Sequence, residues 1–138
     1  MDRSDATRPN QGPPGVPAIT PTRVSTAPAV PAFAAEDAAA FVAAHGVGGI
    51  RIGTAGPWAV EAVEFIPERE LQARFATGTG AAEDTLRCLV TVRGIFAVAA
   101  LPIPGRERRV GVAHQAYVVF DAHTGNSLLR VLGPTERA

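Results

Sequence analysis

Between Leu86 and Val98 the apolar side chains fall on even positions: Leu86, Cys88, Val90, Val92, Phe96 and Val98, with Gly94 among them. The odd positions include Arg87, Thr91 and Arg93. A period of two predicts a strand with one buried and one wetter face. The alternation returns through Val110, Val112, Ala116, Val118 and Phe120, broken only by His114. Pro102, Pro104 and Gly105 make the intervening segment a loop, so the two strands read as a long antiparallel hairpin. A last short strand, Leu128 to Leu132, follows a tight turn at residues 122–126. Gly125 is expected to supply a positive φ there, and Asp121 to accept the turn's backbone N–H groups.

Upstream, Ala34 to His45 carries the helical pattern. It is rich in Ala, the best helix former. Glu36 and Asp37 lie in the first turn, and Gly46 follows as a stop. Its apolar stripe is narrow, so the helix needs a sheet to lie on. Ile50 to Ile52 reads as a short strand among glycines, and Trp58 to Ile66 as a strand ended by Pro67. Glu68 to Phe75 is predicted as a short helix, with Leu71 and Phe75 at i, i+4 spacing. Helix, strand, short helix and three antiparallel strands make an α+β fold.

Composition divides the chain near residue 32. Seven of the twelve prolines lie in the first 31 residues, a stretch without aromatic residues. So little apolar surface does not offset about 1–2 kcal/mol of backbone entropy per residue. Residues 1–32 are therefore predicted to be a disordered Pro-rich tail, and residues 33–138 an α+β domain. Deleting the tail is expected to leave the melting temperature nearly unchanged.

Charge and cysteine content narrow the function classes. Thirteen Arg balance thirteen Asp and Glu, and no Lys is present. A net charge of zero argues against a nucleic-acid binder held by phosphate contacts. One cysteine makes neither an internal disulfide nor a cysteine-rich zinc site. No apolar run is long enough for a transmembrane segment. Asp2-Arg3-Ser4-Asp5 is not the basic start of an export signal, and no apolar run follows it.

The segment Tyr117-Val118-Val119-Phe120-Asp121-Ala122-His123-Thr124-Gly125-Asn126-Ser127-Leu128-Leu129 resembles the strand–turn–strand ending of PepSY-type and related cystatin-like bacterial domains. Cys88 to Phe96 is similar to their central strand. The resemblance implies an N-terminal helix packed on a curved antiparallel sheet. It also implies a non-enzymatic role, outside the membrane where a leader has been removed, and in some members linked to peptidase control. The Arg-rich hairpin tip departs from the family pattern.

Several residues are candidates for chemistry, each against a plainer reading. Cys88 is expected to be a small buried hydrophobe, although His114 on the neighbouring strand shares its even parity and would complete a Cys–His dyad. His45, His114 and His123 lack metal-ligand spacing. Glu61 and Glu64 are expected on opposite strand faces. No cofactor is expected. Arg106, Arg108 and Arg109 form a solvated hairpin tip, or a docking point for an acidic partner or anionic lipid headgroups. Phe41, Trp58, Phe96, His114 and Phe120 would line a pocket between helix and sheet, if the domain carries a small ligand. The leading expectation is a binding domain on a flexible tether, taking a protein or peptide partner by strand addition. A ligand carrier or enzyme is the second reading, and a self-assembling homo-oligomer subunit the third.

Overall fold

A computed structural model describes residues 18–25, 27, 29–47, 52–99, 110–133 and 135–137. The elements run α1 (Ala35–His45), β1 (Ile52–Pro67), α2 (Glu68–Phe75), β2 (Leu86–Ala99), β3 (Val110–Asp121), β4 (Ser127–Leu132) and β5 (Thr135–Arg137). The sheet is antiparallel in the order β1-β2-β3-β4, and β5 pairs with β3 beyond the end of β4. The fold is α+β, as the element order predicts.

α1 starts where the Asp37 carboxylate accepts the Ala34 N–H at 2.8 Å. It stops at Gly46, whose φ of 75° lets its N–H turn back to the Val42 carbonyl. Ala38 and Val42 face inward, and Phe41 packs beside them. α2 spans the predicted residues, with Leu71 fully buried and Ala76 in the left-handed region at its end.

The two helices lie on opposite faces of the sheet. Cys88, Val90, Val92, Val118 and Phe120 pack with α1. Leu89 and Val119, one residue out of phase, pack with Ile66 and Leu71, and Phe75, Tyr117 and Leu129 close around them. Thus the odd face, expected to be the wetter one, is dry wherever α2 covers it. The rings of Phe75 and Tyr117 meet edge to face at 4.9 Å.

Three features differ from the sequence expectation. β1 is one sixteen-residue strand, where the sequence reads a short strand ending at Ile52 and a separate one beginning at Trp58. The irregularity appears as register shifts between Thr54 and Trp58 and between Val60 and Ala62. The sheet is not strongly curled, in contrast to the curved sheet that the family resemblance implies. It is an open path whose end strands β1 and β4 do not pair, and its two faces carry separate layers, so it does not wrap around α1.

The third difference concerns the expected domain edge at residue 32. Ile19, Ala32 and Phe33 are buried, with exposures of 2%, 2% and 0%. Ile19 donates its N–H to the Gly125 carbonyl at 2.8 Å, and Ala32 donates to the Ala122 carbonyl at 2.9 Å. Phe33 reaches the Phe65 ring at 5.9 Å. A few apolar anchors and backbone pairs thus fasten a Pro-rich stretch whose mean composition suggests none. The first seventeen residues of the expected tail lie outside the described residues.

Candidate functional site

Four of the five residues expected to line a pocket gather in one core cluster. Phe96 and Phe120 are buried at 0% and 1% exposure, and Phe41 and Trp58 pack against the same cluster. Phe41 and Phe120 meet edge to face at 5.6 Å, and the space between α1 and the sheet there holds aromatic rings. Trp58 covers Gly94, where an added Cβ would lie 2.4 Å from the Trp58 Cβ. His114 follows Ala113, which opposes Phe96. It sits at the register shift between β2 and β3, where Arg93 opposes Gln115 but Phe96 opposes Ala113, and it is exposed. The shift carries Ala113 into the core and removes the parity that His114 was expected to share with Cys88.

Cys88 opposes Phe65 on one side and Phe120 on the other. It is fully buried, and burial pushes its thiol up to about 12, so the sulfur is held as the thiol. The Cys–His dyad does not form: His114 lies several residues farther along the sheet, beyond Gln115 and Arg93.

Glu61 and Glu64 share the α2 face, contrary to the alternation argument. The shift between Val60 and Ala62 inserts one residue and reverses the phase of β1. Glu61 accepts from Arg93 at 2.7 and 3.1 Å and from Gln115 at 3.3 Å. Glu64 takes both arms of Arg74, at 3.0 Å each, and Arg74 also pairs with Glu70. The Arg74 guanidinium beside Glu64 holds that carboxyl below the usual carboxylate range.

The densest polar cluster was not legible in the sequence. Glu68 opens α2 and is fully buried. Its carboxylate accepts from the Thr79 N–H at 2.7 Å, the Thr79 hydroxyl at 2.7 Å, Arg87 Nε at 3.0 Å and Gln72 Nε2 at 3.2 Å. Burial alone would raise this carboxyl, but the Thr79, Arg87 and Gln72 donors outweigh it and the net displacement is downward. Arg87 also reaches Asp121 Oδ2 and the Thr79 hydroxyl, each at 2.7 Å. Asp121 Oδ1 accepts the N–H groups of His123 and Thr124 at 2.8 and 2.9 Å, the cap expected from the sequence. Gly78 allows this closeness, because a Cβ there would sit 2.2 Å from Glu68 Oε2. With its lone pairs occupied by donors, the ionised Glu68 ties α2 to the Thr79 loop and to β2, and through Arg87 to Asp121 of β3, and has no free lone pair aimed at a substrate.

A shallow open depression of about 500 Å³ beside this clamp is lined by Gln72, Ala76, Thr77, Gly78 and Gly80. Its only side-chain polar groups are the Gln72 amide, which already donates to Glu68, and the Thr77 hydroxyl. Among the described residues no three His, Cys, Asp or Glu side chains are grouped to hold a metal ion. No described helix is long and apolar enough to cross a membrane. Arg106, Arg108 and Arg109 lie outside the described residues.

The surface feature left over is the sheet's edge. Among the described residues β1 pairs only with β2, so one side of this sixteen-residue strand has no described strand partner. From Ala62 to Pro67 its register is unbroken, with Val63 and Phe65 on the α1 face and Glu64 and Ile66 on the other. Comparison with protein-family models, with curated proteins and with solved structures finds no match to this chain.

Proposed function

We propose that this chain is a small non-enzymatic interaction domain that receives an extended protein or peptide segment along the outer side of β1. The observation that carries the reading is the unbroken six-residue register from Ala62 to Pro67 on a strand that, among the described residues, has a partner on one side only. Six residues present about 20 Å of unpaired backbone, enough for a short added strand. The other half of β1 is guarded: two register shifts, an exposed Pro57 and the exposed Glu61 interrupt it. Such guards on one half leave the regular half as the place for controlled pairing. Val63 and Phe65 are only partly buried, so the added segment would place apolar residues beside them and polar residues beside Glu64. The resemblance of residues 117–129 to PepSY-type and cystatin-like domains would imply the same class of role, including a link to peptidase control. The packed aromatic rings between α1 and the sheet favour this reading over a small-ligand carrier.

The test is selection of displayed random peptides on the full chain, followed by amide hydrogen exchange of the complex. Selected peptides should alternate apolar and polar residues and should protect Ala62 to Pro67. Protection centred on α1, or on the depression beside Gln72, would overturn the assignment. Protection of Ala62 to Pro67 by a second copy of the chain would make the edge a self-assembly surface.

A further inference from the structure

We propose that the described residues between 18 and 33 form a releasable strap, able to leave the sheet as a unit while the sheet stays folded. The strap is closed on itself. Thr22 and Arg23 both donate their N–H groups to the Ala32 carbonyl, at 2.9 and 3.1 Å, and Arg23 Nε donates to the Pro31 carbonyl at 3.0 Å. These bonds do not depend on the sheet, so they survive release.

Among the described residues its hydrogen bonds to the rest of the domain, by contrast, converge on one turn. Ile19 N–H meets the Gly125 carbonyl at 2.8 Å, Ala32 N–H meets the Ala122 carbonyl at 2.9 Å, and His123 Nε2 lies 3.2 Å from the Ala27 carbonyl. Ile19 and Phe33 plug the core beside those contacts. The turn is shaped for this backbone: a Cβ on Gly125, whose φ is 77°, would lie 1.9 Å from the Ile19 carbonyl oxygen. At its outer end the strap exposes Val24 at 91% and Val30 at 45%, so its far side is not packed on the domain.

The turn is itself held from the other face of the sheet. Asp121 fixes the His123 and Thr124 N–H groups with one oxygen and receives Arg87 with the other, and Arg87 is anchored by Glu68 of α2. A chain of named bonds therefore runs from α2 through Arg87 and Asp121 to the strap. Local opening of a segment held by a few contacts requires less than global unfolding. Release uncovers the apolar ground under Phe33, including the Phe65 ring, next to the regular half of β1. The strap is a property of the fold and stands independently of the peptide reading.

The test is amide hydrogen exchange on the full chain, comparing residues 18–33 with Cys88 to Val92 of β2. In the unsubstituted protein the strap amides should exchange at least about tenfold faster than the β2 amides, the mark of sub-global opening. Asp121→Ala, which frees the turn, should speed the strap further and leave the β2 rates nearer their original values. If that variant does not fold, Ile19→Ala serves the same purpose, because it removes the plug and touches none of the Asp121 bonds. Equal rates for strap and β2 in the unsubstituted protein would overturn the proposal. So would a folded Asp121→Ala or Ile19→Ala chain whose strap exchanges no faster than before.

Discussion

Replacing Glu68 by Gln removes one charge and one acceptor from the most buried polar cluster of the domain. The carboxylate takes four donors from Thr79, Arg87 and Gln72, at 2.7–3.2 Å. An amide presents only one oxygen to them and turns an NH2 group against the rest. Arg87, 5% exposed, then keeps Asp121 as its only carboxylate. Breaking one side of a buried, hydrogen-bonded ion pair costs about 3–5 kcal/mol, and the retained oxygen brings the expected loss to about 3 kcal/mol. For a domain of this size that lowers Tm by about 10 °C. The pH dependence follows from the lowered Glu68 carboxyl. A group whose folded pKa is depressed adds stability that is present above its unfolded value, near 4.5, and is lost as the pH falls through the lower folded value. The gap between parent and variant should therefore be full at neutral pH and shrink well below pH 4.5. Urea unfolding followed by the fluorescence of Trp58, the single tryptophan, measures both. Glu70→Gln is the control, because Glu70 pairs with Arg74 at the surface and its loss should cost under about 0.5 kcal/mol. A Glu68→Gln loss below about 1 kcal/mol at neutral pH, or a gap that widens in acid, would refute the clamp.

Other consequences are equally direct. Cys88 should resist a thiol reagent in the native state and react only as fast as the chain unfolds, because burial pushes its thiol up to about 12; rapid labelling at neutral pH would contradict this. Gly78→Ala places a methyl group 2.2 Å from Glu68 Oε2 and should lower the urea midpoint by more than a typical surface substitution. Deleting residues 1–32 removes the buried Ile19 and Ala32 and should lower Tm by several degrees, the reverse of the expectation drawn from composition; an unchanged Tm would show that these anchors contribute nothing.

The sequence makes the local elements legible because their signals are local. Pro67 before an acidic first turn, and Leu71 with Phe75 four residues later, mark α2. Gly46 and Gly125 take the positive φ values their positions call for. Alternation finds β2 and β3 and puts Cys88, Val90, Val92, Val118 and Phe120 on one buried face, but it assumes an unbroken phase. One inserted residue at Glu61 and another irregularity near His114 reverse that phase. The break at His114 is itself the visible trace of the second shift, since Ala113 fills the core in its place. Leu89, Val119 and Leu129 are the signal that α2 covers the odd face. The clamp is illegible for a different reason: Glu68 and Arg87 are 19 residues apart, and Arg87 and Asp121 are 34 apart. Their meeting depends on strand pairing and is absent from any short window. The strap escapes notice because two or three apolar anchors are diluted by prolines.

An interaction edge exists only if the sheet is open, so long-range NOEs from the isotopically labelled full chain are decisive. Contacts should run from Glu64 to Leu89, from Leu89 to Val119 and from Val119 to Leu129, stepping across β1, β2, β3 and β4. Residues 62–67 should then show no backbone contact with residues 127–132. Backbone NOEs joining those two segments within one chain would close the sheet on itself, leave no free edge on β1, and contradict the proposed role.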